Sequence, residues 1–182
     1  MGSQWIILAC IFVPLLGSFL LPVLGRINTN ARNLASLLFV LVSLVCAVLA
    51  LHPALTGRPL RVWLELPQGL SLGFLGDGMA VLAALAFSLT AAVIIFYSFG
   101  YIERFENLNE YYFMVTLFMG AVMGAVFSTN LILTYAFWEI TSICCWRLLG
   151  FDRSVKSIRL AGKALLVNVC GSLLMLAGVI SV

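Results

Sequence analysis

The sequence predicts an all-α integral membrane protein of six transmembrane helices, with a short β-hairpin between the second and third helices. Three observations lead to this fold class: the composition, six apolar runs and one alternating stretch. The chain has 182 residues, of which 63% are hydrophobic and 9% charged. An ordinary soluble domain is about 45–50% apolar and about 25% charged, and a short chain leaves much of its surface exposed. The composition therefore excludes a water-soluble globule and a disordered chain.

Six apolar runs are each close to the roughly 20 residues that cross a bilayer. They cover residues 5–24, 34–51, 79–101, 111–128, 131–150 and 160–182. The bilayer core offers no water to backbone N–H and C=O groups, so each run must satisfy these groups internally as a helix. We expect the runs to form a single membrane domain over residues 1–182. Gly120 and Gly124, four residues apart in the fourth run, permit close contact between helices.

The longest connection, between the second and third runs, has the pattern of a β-hairpin. Residues 61–66 alternate between polar and apolar side chains, and residues 70–74 alternate again. Pro67-Gln68-Gly69 offers a turn between the two stretches. Alternation on both sides of a turn is typical of a hairpin. His52, next to Pro53, is expected to lie in the loop after the second helix. We expect the hairpin to lie over the extracytoplasmic membrane surface.

The distribution of Lys and Arg between the loops predicts the orientation. The loops after the first, third and fifth runs are rich in these residues, whereas the loops on the other side of the membrane carry two, Arg58 and Arg61. Because cytoplasmic loops are enriched in Lys and Arg, both termini are predicted to be extracytoplasmic in a multi-pass protein of the inner (cytoplasmic) membrane. The loops after the first, third and fifth runs carry six: Arg26, Arg32, Arg104, Arg153, Lys156 and Arg159.

Several function classes find no support in the sequence. The net charge is +3 without a basic block, so we expect no nucleic-acid partner. The five cysteines lie in apolar runs, and no Cys-x-x-Cys pair or Cys/His cluster has metal-ligand spacing. We therefore expect free thiols, no metal site and no cofactor in this chain.

Glu139 is the ionisable residue that lies deepest in a predicted span. It follows the start of the fifth run by eight residues, which places it about 12 Å deep at about 1.5 Å per residue. Tyr135 and Ser142, at i−4 and i+3, make the same helix face partly polar. A charge at the centre of a span costs about 2.5–3.5 kcal/mol, so it usually has a function or a partner. Either Glu139 exchanges a proton or switches an ion pair, or it packs two helices together by hydrogen bonding.

Two basic residues near the ends of spans also allow more than one interpretation. Arg147 is eight residues beyond Glu139, so it is rotated by about 80° and cannot pair with it within one helix. It can anchor the helix at the interface or serve in transport. Lys163, near the start of the sixth run, can reach to the interface or point into the bundle.

The remaining acidic residues fit structural roles. Asp77, in Gly-Asp-Gly ahead of the third run, is expected to cap that helix. Glu103, Glu106 and Glu110 follow the third run together with Arg104, and we expect them to lie in a solvated loop.

Tyr135-Ala-Phe-Trp-Glu-Ile-Thr-Ser142, followed by Leu-Leu-Gly-Phe at residues 148–151, resembles the fifth span of antiporter-like membrane subunits. These subunits occur in respiratory complex I, Mrp-type sodium/proton antiporters and complex I-like membrane-bound hydrogenases. Asp77-Gly78, with the tyrosines at the end of the third run, is similar to the family's third span. Residues 163–178 are similar to its sixth span.

The resemblance implies a role in proton or sodium translocation within a multi-subunit, redox-linked or Mrp-type membrane complex. In the family, the glutamate of the Trp-Glu pair forms an ion pair with a lysine on the seventh span. By resemblance Glu139 takes that glutamate's place, with Tyr135 and Ser142 on its polar face, and Lys163 takes that of a lysine at the start of the sixth span. No quinone, flavin or iron–sulfur motif is present, so redox chemistry would belong to partner subunits.

The sequence also departs from the family. Family subunits have fourteen or more helices, whereas this sequence stops where a seventh span would begin. We expect other membrane subunits as partners, one of which supplies the missing C-terminal helices; a fragment and a natural split subunit both remain open. The alternative function is a structural membrane anchor without its own ion path, and a third is an autonomous six-helix transporter.

Overall fold

The computed structural model describes residues 2–57, 59–65, 71–102, 105 and 107–181. The predicted hairpin turn at residues 67–69 lies outside the described residues, as do Arg58, Glu103, Arg104 and Glu106. The described part of the chain is mostly helical. Its elements are α1 (Gly2–Gly17), a 3-10 turn (Ser18–Leu20), α2 (Leu21–Ile27), α3 (Thr29–Leu55), β1 (Leu60–Glu65), β2 (Ser71–Gly76), α4 (Gly78–Tyr101), α5 (Leu108–Phe127), α6 (Leu131–Leu149) and α7 (Val155–Ile180).

Five helical segments are long and apolar enough to cross a membrane. They are Gln4–Ile27, Thr29–Leu55, Gly78–Tyr101, Leu108–Phe127 and Val155–Ile180. The predicted helical membrane character is therefore confirmed. α6 has 19 residues and is not one of the five, because Glu139 and Arg147 interrupt its apolar sequence. A sixth span at α6 stays a prediction.

The first span contains a break that its apolar sequence alone did not predict. Pro14 lies inside α1, and Pro22 lies at the start of α2. A proline lacks the N–H that an α-helix needs in its interior, so it is tolerated best at a helix start. The 3-10 turn Ser18–Leu20 joins the two helices, and the Ser18 hydroxyl donates to the Leu15 carbonyl at 2.7 Å.

Side-chain caps fix the beginnings of four helices. Asp77 accepts a hydrogen bond from the Ala80 N–H at 2.8 Å, so the predicted cap is confirmed. The other capping side chains belong to Asn28, Asn130 and Ser154, at the starts of α3, α6 and α7. Each satisfies one of the N–H groups that the first turn of a helix leaves without a partner.

The expected position of His52 was wrong, because α3 continues through it to Leu55. Pro53 lies in the last turn of the helix, where its missing N–H removes one backbone hydrogen bond. Thr56 ends the helix by donating its N–H and its hydroxyl to the His52 carbonyl, at 3.1 and 3.0 Å.

The hairpin between the second and third spans is confirmed as a two-stranded antiparallel sheet. Leu60 lies opposite Gly76, and Glu65 lies opposite Ser71. The hairpin is also joined to the loop between α5 and α6: Phe74 forms a β-bridge with Ser128, and the N–H of the next residue in that loop donates to the Gly73 carbonyl at 3.0 Å. This connection links residues more than 50 positions apart.

The helices pack around α1 and α5, with small residues at the closest approaches. A side chain on Gly120 would lie 2.6 Å from the backbone nitrogen of Leu15 in α1, and one on Gly124 would overlap the ring of Phe137 in α6. The glycine pair thus allows α5 to contact two helices closely, as its spacing predicted. Phe74 is 2% exposed, and its ring centroid lies 6.3 Å from that of Phe12 and 6.4 Å from that of Phe137.

We predict that Phe74→Ala lowers the free energy of unfolding by about 3–5 kcal/mol, the usual cost of truncating a buried Phe. Trp63→Ala is the matched control, because Trp63 is on the same hairpin but 59% exposed, and it should cost clearly less. Unfolding in mixed detergent, followed by circular dichroism, measures both. Equal losses would contradict the assignment of Phe74 as the residue that holds the hairpin on the helices.

Candidate functional site

One carboxyl oxygen of Glu139 lies inside the protein without a hydrogen-bond partner. This Oε1 atom is buried, and no partner for it is found among the residues that the structure describes. Tyr135, one helical turn earlier, is the polar neighbour on the same face of α6. The Tyr135 hydroxyl interacts with the Glu139 carboxyl and with Ser172 of α7.

Ser142 is buried, and its hydroxyl is hydrogen-bonded within α6. Its hydroxyl donates to the Trp138 carbonyl at 3.0 Å, so it is not directed at Glu139. Its other contribution is to a cavity of about 520 Å³ between α6 and α7, which it lines together with Cys145, Lys163 and Asn168. A second cavity of about 370 Å³ shares Ser142, Cys145 and Asn168 and extends toward α5.

Lys163 lines the larger cavity, but the structure does not bring it into an ion pair with Glu139. A side chain on Gly150 would lie 3.5 Å from the Cβ atom of Ala161, so the start of α7 packs against the end of α6. Lys163 therefore lies nearer to the end of α6 than to Glu139, which is not among the residues that line the cavity. The cavity has room for water, which its polar side chains can hold.

A cluster at the other end of α6, formed by Glu110, Arg147 and Arg153, was not predicted. Arg147 Nε donates to Glu110 Oε1, and an Nη of Arg153 donates to Glu110 Oε2 at 3.1 Å. The expectation that Glu110 lies in a solvated loop was wrong, because it lies in the first turn of α5 and its side chain is 26% exposed. One signal could have indicated this: a carboxylate suits a helix N-terminus and an arginine suits a helix C-terminus.

Asp152, in the connection between α6 and α7, is held in its charged form by its neighbours. The Ser157 hydroxyl and the backbone N–H of Ser154 donate to its carboxylate, which lowers its pKa below the ordinary value. Arg153 beside it adopts a left-handed backbone, with φ of 52°. In this short connection Arg153 is therefore both the residue with a strained backbone and a hydrogen-bond donor to Glu110.

The part of the chain that contains α6 and α7 is similar to a known protein family. Residues 128–182 match the family described as NADH:quinone oxidoreductase/Mrp antiporter, TM. The predicted resemblance is confirmed. The matched segment includes Glu139 and Lys163, and thus α6 and α7 with the cavity between them.

Named relatives extend the likeness toward the N-terminus. The Na(+)/H(+) antiporter subunit A1 of Staphylococcus haemolyticus is 39% identical over 113 residues, which are 62% of this chain and 14% of that protein. The subunit A1 of Staphylococcus aureus strain Newman is 38% identical over the same length. The chain thus spans about 14% of the length of these relatives in the matched region.

Two solved structures share the fold. An archaeal respiratory membrane complex, the membrane-bound sulfane sulfur reductase, contains a chain that matches with a TM-score of 0.86 and 19% identity, over 94% of this chain and 36% of that one. A chain of the Mrp complex from Dietzia sp. DQ12-45-1b matches with a TM-score of 0.78 and 20% identity, over 97% and 19%. At this level of identity the matches establish the fold alone.

We predict that Arg147 is coupled to Glu110 more strongly than Arg153 is, because the Arg147 side chain is 32% exposed and that of Arg153 is 52% exposed. Two double-mutant cycles in unfolding free energy, each combining Glu110→Gln with Arg147→Gln or Arg153→Gln, measure the coupling. We expect about 1 kcal/mol for Arg147 and about 0.5 kcal/mol or less for Arg153. A larger coupling to Arg153 would overturn this order.

Proposed function

We propose that this chain is an ion-translocating membrane subunit of a multi-subunit complex and that Glu139 is its central titratable group. The observation that carries the proposal is the buried Glu139 oxygen without a hydrogen-bond partner among the described residues. An unsatisfied carboxylate at membrane depth is costly. Its charge therefore depends on whether a proton or a cation is close, which is the property that translocation requires.

The cavity between α6 and α7 supports the same proposal. It carries a hydroxyl, a thiol, an amide and an ammonium group, from Ser142, Cys145, Asn168 and Lys163. Water held by such groups can carry protons from Lys163 toward Glu139, which lies about one helical turn before Ser142 on α6. In this proposal Tyr135 orients the carboxyl, and Lys163 supplies the nearest cation on α7.

The finer topology belongs to the proposal as well. α6 would cross the membrane as the fifth of six spans, with Glu139 near its middle and Arg147 at its cytoplasmic end, paired with Glu110. Both chain termini and the hairpin would then lie on the extracytoplasmic side of the cytoplasmic membrane. This orientation follows from the basic residues of the loops.

Membrane helices of other subunits are the proposed neighbours of α7. Of the 18 residues in its most apolar window, 6% are buried. Ala161 and Ser172 are its buried residues, whereas Lys163 and Cys170 are exposed. A lysine on a bare helix in hydrocarbon is costly, so further helices, including the proposed C-terminal set of the family, would cover this face. Protons and sodium ions are both candidates for the transported ion.

We predict that Glu139→Gln leaves assembly intact and lowers coupled ion transport at least about tenfold, because the amide cannot take up or release a proton. Transport is measured in vesicles that contain the assembled complex, with pH-sensitive and sodium-sensitive dyes that also identify the ion. Asp152→Asn is the matched control, since it removes a carboxylate outside the helices and should keep transport close to wild type. Unchanged transport in Glu139→Gln would remove the carboxyl from the ion path.

Lys163 gives a second, independent prediction. Lys163→Gln should lower transport severalfold, whereas Lys163→Arg should retain more of it, because the charge beside the cavity is kept. Lys156→Gln is the control on the same helix, exposed and close to its N-terminus. If the two glutamine variants behave alike, Lys163 is an interface residue only.

The contacts of Tyr135 favour a second candidate function, a structural membrane anchor. If Tyr135, Glu139 and Ser172 only hold α6 to α7, their role is packing. In that case Glu139→Gln should lower the thermal stability of the complex strongly while the surviving complex transports normally. Loss of transport at unchanged stability selects the ion-translocating function.

A further inference from the structure

Arg32 is buried, although its place among the basic residues after the first run predicted a loop charge. It lies in the first turn of α3 and is 2% exposed. Its guanidinium carbon lies 4.8 Å from the ring centroid of Tyr112 in α5. Burying an ionised group costs several kcal/mol unless other groups compensate its charge. The groups around Arg32 therefore decide whether its charge is fully compensated within the protein.

The hydrogen-bond partners of Arg32 are neutral. One Nη donates to Asn109 Oδ1 at 2.6 Å, and the Nε and the other Nη donate to Asn33 Oδ1 at 3.1 and 2.8 Å. None of these partners is a carboxylate, and in the described part of the chain the ion pairs are those of Glu110. A guanidinium has five N–H donors, so two remain beyond these three bonds.

A small cavity of about 90 Å³ adjoins the guanidinium. Its polar lining comes from Thr29, Asn30, Arg32 and Asn33, and Tyr112 closes one side. Because the Asn33 oxygen faces Arg32, the NH₂ group of that amide is left to donate. The cavity also lies at the N-terminus of a 27-residue helix, where the macrodipole is positive. Donors and positive charge line this cavity, and among the described residues no carboxylate is part of its lining.

We propose that this cavity binds a phosphate group, either the headgroup phosphate of an acidic phospholipid or free inorganic phosphate. A guanidinium binds a tetrahedral oxyanion through two donors at once, and a helix N-terminus adds backbone N–H groups and positive potential. The volume holds a group of that size and excludes a large one. The cavity lies where α2 ends and α3 begins, at the end of two spans, which places it at headgroup level.

Hydrogen–deuterium exchange of the peptide over residues 29–40 tests the proposal on the intact chain in its complex. One arm compares inorganic phosphate with chloride at equal ionic strength in detergent. The other compares nanodiscs of phosphatidylglycerol with nanodiscs of an uncharged galactolipid, which has no phosphate. Slower exchange in the phosphate arm identifies the free ion, slower exchange in the phosphatidylglycerol arm identifies a lipid, and either result supports the site. Equal exchange within both arms overturns it.

Three variants make the test specific. In Arg32→Gln, the probe that slows exchange should bind at least about tenfold more weakly, because the charged fork is lost. Asn30 is exposed, so Asn30→Asp should fold and place a carboxylate at the cavity; it should slow exchange without any probe and abolish the response. Arg26→Gln removes an exposed charge from the end of α2 and should respond as wild type does.

The variants also keep the proposal open to refutation if Arg32→Gln fails to fold, since Asn30→Asp then decides it. An undiminished response in Asn30→Asp would mean that the anion acts elsewhere. A response lost equally in Arg26→Gln would mean that only general surface charge is involved. Both outcomes overturn the proposed site.

Discussion

An ionised side chain at the centre of a bilayer costs about 2.5–3.5 kcal/mol or more, and the arrangement of this chain follows from how each charge meets that cost. Arg147 and Arg153 share the Glu110 carboxylate at the end of α6. Arg32 is surrounded by amides and one aromatic ring. Glu139 differs from these, because one of its oxygens is buried without a donor in the described structure. In the proposed function, this is the carboxyl that the translocated ion meets.

The position of Glu139 depends on contacts at both ends of α6. At its start, Phe137 packs against Phe74 of the hairpin, which is itself bridged to the loop ahead of α6. At its end, Arg147 is bound to Glu110 of α5. Glu139 lies two residues beyond the first contact and eight before the second, so neither end of the helix is free to rotate it. A rigid support of this kind would suit the carboxyl of the proposed ion path, because a functional side chain must be held in position.

Local patterns predicted much of the fold, and contacts distant in sequence account for what they missed. The hairpin follows from alternation, and the cap at Asp77 follows from its place before a helix. The Arg147–Glu110 pair joins residues 37 positions apart, and Arg32 meets Asn109 across 77 positions. Periodicity within one helix carries no information about either contact. The expectation for His52 failed for another reason: a proline removes one backbone hydrogen bond but does not have to end a helix at once, and α3 continues for two residues beyond Pro53.

The separation of Glu139 from Lys163 constrains how the proposed ion path can work. Lys163 lines the cavity between α6 and α7 and Glu139 does not, so in that proposal a proton would pass through water in the cavity or meet a cation from another helix. Asn168, Ser142 and Cys145 line the cavity and can hold such water. A cation from another helix would have to approach from the side of α7, whose exposed surface leaves room for it. In both cases α7 borders the route, so its contacts with neighbouring helices would set the charge on Glu139 as directly as the residues of α6 do.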